Sequence, residues 1–236
     1  MANQYFQFKE FTVNQDKCAM KVCTDACILG AYTNNENLKR ALDIGTGTGL
    51  LSLMLAQKSD SPIDAVEINE EAYTQACENV NNAPWQKQIQ VHHSSIQHFS
   101  KNTKEQYDFI ISNPPFYQNH LQSNTPSKNT AHHTASLSQK SLLFCVDKLL
   151  TNQGKFVVLL PKSQSEQFEE LAKNHQLYIS EKLLIRDRVA STNIKIITTY
   201  QRKKSNFITK ELIIKGDDGS YSADFIALLK DYYLHL

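Results

Sequence analysis

No run of apolar residues in this chain approaches the ~20 that a bilayer-spanning helix requires, which excludes a helical membrane protein. The first eleven residues, MANQYFQFKEF, lack the charged-then-apolar pattern of a secretory leader, so a cytoplasmic location is expected. Cysteines number five and form no Cys-x-x-Cys pair. An odd count fits a reducing compartment and argues against a disulfide framework. Cys18, Cys23 and Cys27 cluster, but they read as small buried side chains, and no metal is expected. Charge of one sign is also missing: 25 Lys and Arg against 24 Asp and Glu leave a net +1, too little for a global attraction to nucleic acid. There are no repeats, low-complexity tracts or clear linkers. The 236 residues suit one large α/β domain spanning 1–236, in which 1–39 form an N-terminal segment and 40–236 the sheet.

What is present alternates. Residues 42–44, 63–68, 89–92, 107–112 and 155–160 are short apolar runs that read as strands, and 177–185 and 195–200 are further candidates. Between them, 49–58, 70–81, 136–150, 163–173 and 224–233 read as helices; Asn69 caps the second, with Glu70 and Glu71 in its first turn. Strands alternating with helices predict an α/β fold with a doubly wound, mostly parallel, Rossmann-like sheet and helices on both faces. Such sheets bind ligands beyond the carboxyl ends of their strands. The glycine loop Asp43-Ile44-Gly45-Thr46-Gly47-Thr48-Gly49, Glu67, Ser94-Ser95 and Asn113 all fall at such ends.

These elements carry chemistry. Glycines let backbone approach a ligand and adopt conformations closed to other residues. Here they fall on alternate residues, not in the Gly-x-Gly-x-x-Gly spacing of dinucleotide folds. A carboxylate at Glu67 can accept both hydroxyls of a ribose. Asn113-Pro114-Pro115-Phe116 suits an amine conjugated to a planar ring, whose lone pair is spread into the ring. The Asn113 side-chain oxygen and the Pro114 carbonyl can each accept one N–H and hold the nitrogen in line with an incoming methyl. Proline fixes φ, so that carbonyl is aimed in advance. Phe116 offers a face for a stacked base.

Residues 118–135 are polar and aperiodic, a lid, binding loop or disordered segment. His132 and His133 within them read as solvated. Residues 182–215 carry nine cations against Asp187 and Glu211, a surplus of seven. A solvated surface and a phosphate-facing patch fit that surplus equally; on the second reading Arg186, Arg188, Lys195, Arg202, Lys203 and Lys204 contact RNA.

With those residues in place, the chain resembles the class I S-adenosylmethionine-dependent methyltransferases of the tRNA(Val) adenine-37 N6 type. The likeness rests on Met20 to Asp25, an apolar segment ending Leu29-Gly30-Ala31, Asp43 to Gly49, Glu67-Ile68-Asn69, Glu78-Asn79-Val80, Pro84-Trp85, Asn113 to Phe116 and the ending Leu228 to Leu234. It implies a seven-stranded sheet, S-adenosylmethionine as cofactor, and tRNA, of the tRNA(Val) type, as partner. It implies that Lys21, Thr24 and Asp25 close the cofactor site. Asp43, Gly45, Thr46, Gly47 and Gly49 would hold the methionine part, Glu67 and Ile68 the ribose side, and Ser95 and Ile96 the adenine side. Asn113, Pro114, Pro115 and Phe116 would hold the target base. A monomer without membrane attachment is expected. The tetrapeptide also suits a protein glutamine amide, an rRNA guanine or a DNA adenine, and a non-catalytic nucleotide- or RNA-binding module is the remaining alternative.

Overall fold

The computed structural model describes residues 3–33, 38–114 and 137–236. A hairpin opens it, β1 (Tyr5–Gln7) against β2 (Thr12–Asn14). Then come α1 (Thr24–Tyr32), β3 (Ala41–Ile44), α2 (Leu50–Ala56), β4 (Ile63–Glu67), α3 (Glu70–Asn81), β5 (Ile89–His93), α4 (Ile96–Asn102) and β6 (Tyr107–Ser112). The second half holds α5 (Gln139–Leu149), β7 (Leu150–Pro161), α6 (Lys162–Lys173), β8 (Tyr178–Arg186), β9 (Lys195–Gln201), β10 (Ile208–Ile213) and α7 (Ala223–Leu229).

The main sheet runs β10-β8-β9-β7-β6-β3-β4-β5, and only β9 is antiparallel to its neighbours. The expected seven strands are β3 to β9. β10 adds an eighth at the edge, parallel to β8. Its sequence gives little sign of this, because only Leu212 among its residues is buried. The chain order reverses between β3 and β6, which makes a crevice at their carboxyl ends.

Successive strand residues face opposite layers. Phe109, Ile111, Val157 and Leu159 pack with α1, α2 and α7 on one face. Ile110, Phe156, Val158 and Leu160 pack with α5 and α6 on the other. Strands buried on both faces must be apolar throughout, which is why they read as continuous runs. Asn69 caps α3 as expected, its Oδ1 accepting from Ala72 N at 2.8 Å. The last helix is shorter than its sequence suggests. It ends at Leu229 because Tyr232 and Tyr233 turn to the hairpin, where Tyr232 O accepts from Lys9 N and Tyr233 bridges Phe8.

At the amino ends of the strands, buried Asp64 accepts from Arg40 Nε at 2.9 Å and Tyr107 OH at 2.9 Å, with His92 Nε2 at 2.7 Å. Burial alone would push its carboxyl up, but the His92, Tyr107 and Arg40 contacts outweigh it and hold it below its ordinary 3.8. Asp64→Asn puts an amide against these donors, and a loss of about 2–3 kcal/mol of stability is expected. The folded pKa is depressed, so the wild-type advantage is complete above 3.8 and disappears as pH falls below it. Denaturation at neutral and acid pH checks both.

Candidate functional site

Beyond the carboxyl ends of β3, β4, β5 and β6 lies a cavity of about 680 Å³. One wall is residues 18–23, which have no regular structure and precede α1. The floor is Gly45 to Thr48. Glu67 to Asn69, Ser94 to Gln97, and Asn113 with Pro114 are also part of the lining.

Gly45, Gly47 and Gly49 have φ of +74°, +59° and +84°, a region that other residues rarely enter. A Cβ at Gly45 or Gly47 would meet nothing within 4 Å, so the backbone there leaves space that a ligand can fill. Gly49 backs onto α3, where a Cβ would stand 3.6 Å from the Ala76 Cα, an ordinary contact, so its left-handed backbone is what calls for glycine.

Two carboxylates shape this floor. Glu67 accepts from three backbone amides, Gly47 N on Oε2 and Ile68 N and Asn69 N on Oε1, each at 2.9 Å. It is buried, so those amides replace much of its lost hydration. Asp43 is fully buried beneath the loop. Its Oδ2 accepts from Thr46 Oγ1 at 2.6 Å and Ser52 Oγ at 2.8 Å, while Oδ1 has no partner among the described residues. Burial pushes its carboxyl up to about 6 against the pull of the two hydroxyls, and the charge of Glu67 adds to the rise.

Of the residues expected at the cofactor, Lys21, Gly45, Thr46, Gly47, Glu67, Ile68, Ser95 and Ile96 line this cavity. Asp43, Thr24, Asp25 and Gly49 do not line it. Asp43 braces the loop from below, and Gly49 is the N-cap of α2. Thr24 is the first residue of α1, and Asp25 is ion-paired with Lys195. Asn113, half-buried, and Pro114, buried, line the same cavity, at the end of β6. Ser112 Oγ donates to Ile44 O at 2.8 Å and fixes that end beside the glycine loop. Pro115, Phe116, His132, His133 and the polar stretch 118–135 lie outside the described residues. Gln97 and Leu137 also line the cavity, and no motif marks them.

The cationic segment is not one patch. β9 pairs Lys195 with Pro161 at the cavity end of the sheet and Gln201 with Lys155 at the other. Arg202, Lys203 and Lys204 follow Gln201, so they sit on the far side from the cavity, away from Arg186, Arg188 and Lys195. Most of the surplus is also neutralised. Lys182 pairs with Glu169, Arg186 with Glu211, Arg188 with Asp187, Lys195 with Asp25, and Lys210 with Glu181. Arg202 turns inward, donating to Asp147 Oδ1 at 2.8 Å and to the Leu150 carbonyl at 3.2 Å. The surplus along the segment arises because several of the partner carboxylates lie elsewhere in the chain, and the six residues divide between the two ends of the sheet.

A floor of left-handed glycines, a strand-end carboxylate and a strand-end Asn-Pro surround one crevice at the switch point of an α/β sheet, the place where such folds bind ligands. Residues 24–179 match the family model of the methyltransferase small domain, and the chain belongs to that family. It is 42% identical over 237 residues to the tRNA1(Val) (adenine(37)-N6)-methyltransferase of Dyadobacter fermentans, with 98% of each chain covered. The Shigella dysenteriae protein of the same name is 40% identical over 233 residues, covering 98% of this chain and 95% of its own. Among solved structures, a predicted O-methyltransferase from Agrobacterium tumefaciens superposes with a TM-score of 0.69 at 14% identity, covering 88% of this chain and 96% of its own. A ribosomal protein L11 methylase from Lactobacillus delbrueckii gives 0.56 at 16% identity over 80% and 84%. At those identities the two structures speak to the fold alone.

Proposed function

We propose that this chain transfers a methyl group from S-adenosylmethionine to N6 of an adenine in a tRNA anticodon loop, adenine-37 of tRNA(Val). One observation carries the reading: relatives with that activity in their names align over nearly all of this chain, and the crevice brings Glu67 and Asn113 to one cavity. The cavity residues fit the cofactor, since the open space before Gly45 and Gly47 is a cradle that any Cβ would fill. When bound, S-adenosylmethionine supplies an electrophilic methyl on a sulfonium.

The chain's own groups do the rest. Glu67 has one lone pair in excess of its three amide donors, and a ribose hydroxyl finds its acceptor there. Asn113 accepts one N–H of the adenine amine through its side chain, and Pro114 accepts the other through its carbonyl. The nitrogen lone pair is thereby turned out of the ring plane and toward the methyl. Removing both N–H groups from water and fixing the nitrogen are contributions that alignment alone supplies. No strong base is needed, because the methylated amine is acidic. An adenine in an unpaired loop is splayed out more cheaply than one in a duplex.

Among the described residues no helix is long and apolar enough to cross a membrane. A cytoplasmic, monomeric enzyme accords with a tRNA substrate. The test is incubation with labelled S-adenosylmethionine and tRNA from a strain lacking this gene, followed by nucleoside mass spectrometry. N6-methyladenosine in tRNA(Val) is the expected product. Label in rRNA, protein glutamine or DNA instead would assign a different planar amine.

A further inference from the structure

The cavity wall at residues 18–23 has no helix or strand to hold it, yet its backbone polar groups need partners. Three buried carboxamides bond the wall or the residues that lead into it. Gln75 and Asn79 on α3 are 0% and 1% exposed, and Gln15, just before the wall, is 5% exposed. Gln75 Oε1 accepts from Lys17 N at 2.8 Å, and Gln15 Oε1 accepts from Val22 N at 2.8 Å. Asn79 does more. Its Oδ1 accepts from Asn14 N at 2.9 Å, and its Nδ2 donates both to Asn14 O at 2.9 Å and to Thr48 O at 2.9 Å. Asn14 ends the hairpin strand that leads into the wall, and Thr48 is part of the glycine floor.

One side chain therefore bonds both the strand end that leads into the wall and the floor of the cavity. α3 is the common support. Its Ala72 lines the cavity, and Ala76, one turn before Asn79, backs the glycine loop: a Cβ on Gly49 would stand 3.6 Å from the Ala76 Cα. Residues 72, 75, 76 and 79 are three and four apart and lie on one helix face. We infer that Asn79 is a positioning residue for the methyl-donor site: it ties Asn14, where the chain enters the wall, to the glycine loop, and Gln75 holds Lys17, the residue just before the wall, one turn nearer the cavity. The inference rests on the reading of this cavity as the S-adenosylmethionine site.

Aspartate is the informative replacement. It keeps the acceptor for Asn14 N but sets a carboxylate against the Asn14 and Thr48 carbonyls. The full chain should be compared as wild type, Asn79→Asp, Asn79→Ala, Gln75→Met, Asp64→Asn and Glu67→Ala. The readouts are S-adenosylhomocysteine Kd by calorimetry, KM for each substrate, kcat and Tm. Asn79→Asp should raise the Kd and the donor KM by about 10- to 100-fold, the range expected for buried carbonyls left without donors. The tRNA KM and kcat at saturating donor should move by less than about threefold, as loss of uniform donor binding implies. Gln75→Met should shift the donor KM in the same direction by a smaller factor, and it decides the matter if neither Asn79 variant folds. Asp64→Asn, a buried network at the other end of the sheet, should lower Tm and leave the Kd unchanged. A Tm loss in the Asn79 and Gln75 variants with unchanged donor Kd would reduce both residues to fold stabilisers and overturn the inference. If wild type binds the ligand and Glu67→Ala binds it equally well, the cavity assignment itself is at fault.

Discussion

Asn113→Ala should remove nearly all methyl transfer, lowering kcat by about 10²- to 10³-fold, the usual cost of losing one preorganised polar contact to the reacting group. The affinity for S-adenosylmethionine should change by less than about threefold, because the contacts proposed for the donor lie on the glycine loop and Glu67. The reasoning starts from β6. Its residues Phe109 to Ile111 are apolar and buried, and the hydroxyl of buried Ser112 is bonded to Ile44 O, so the strand end cannot drift from the loop. Asn113 and Pro114 follow at once, the second with φ fixed by its ring. A side chain launched from so constrained a position has few rotamers to lose when it meets the amine. Asn113→Asp separates acceptor from donor chemistry. It retains oxygen acceptors, so it should keep clearly more activity than the alanine variant. Equal activities for the two would mean that the carboxamide acts as a donor, and equal activity for alanine and wild type would remove Asn113 from the reaction. Single-turnover rates at saturating donor, with donor Kd measured in parallel, distinguish these results.

The sheet was legible for a physical reason. Strand segments such as 109–111 and 156–160 are covered on both faces, so every residue there is apolar and the run shows in the sequence. The same holds for the loop and for Asn69, whose roles are local: positive φ at glycine, and a side chain bonded three residues ahead. Elements held by distant partners gave no such sign. The β1–β2 hairpin has only three residues per strand and is stabilised by aromatic contacts with the chain's other end, Phe6 and Phe8 against Tyr233. β10 is exposed over most of its length. Charge was the least legible property. Lys195 finds its carboxylate 170 residues away at Asp25, and Arg202 finds Asp147 across 55 residues, so counting charges along a segment counted ions already spoken for. Asn79 shows the same limit at the site, since its bond to Asn14 spans 65 residues.

Glu67→Gln should weaken S-adenosylmethionine binding nearly as much as Glu67→Ala, about 30- to 300-fold, although the replacement is isosteric. Both oxygens of Glu67 face N–H donors, one on one side and two on the other. A carboxylate satisfies all three because it has acceptors only. A glutamine must turn its own NH2 toward either Gly47 N or the Ile68 and Asn69 amides, setting donor against donor in a buried place. The cost of an unsatisfied buried donor is about 1–3 kcal/mol, and the lost charge-assisted bond to a ribose hydroxyl is of similar size. The effect passes through the loop as well as the ligand. Gly47 N is the link by which Glu67 holds the cradle shut against β4, so a variant without that acceptor should show faster amide exchange at Gly47 even without cofactor. Glu67→Asp keeps the charge but shortens the reach, and should recover part of the affinity only if the loop follows the carboxylate inward. Calorimetry on the three variants, together with hydrogen exchange on the free proteins, separates the two contributions. Wild-type affinity in Glu67→Gln would mean that this carboxylate serves the loop alone and that the ribose finds its acceptor elsewhere in the crevice.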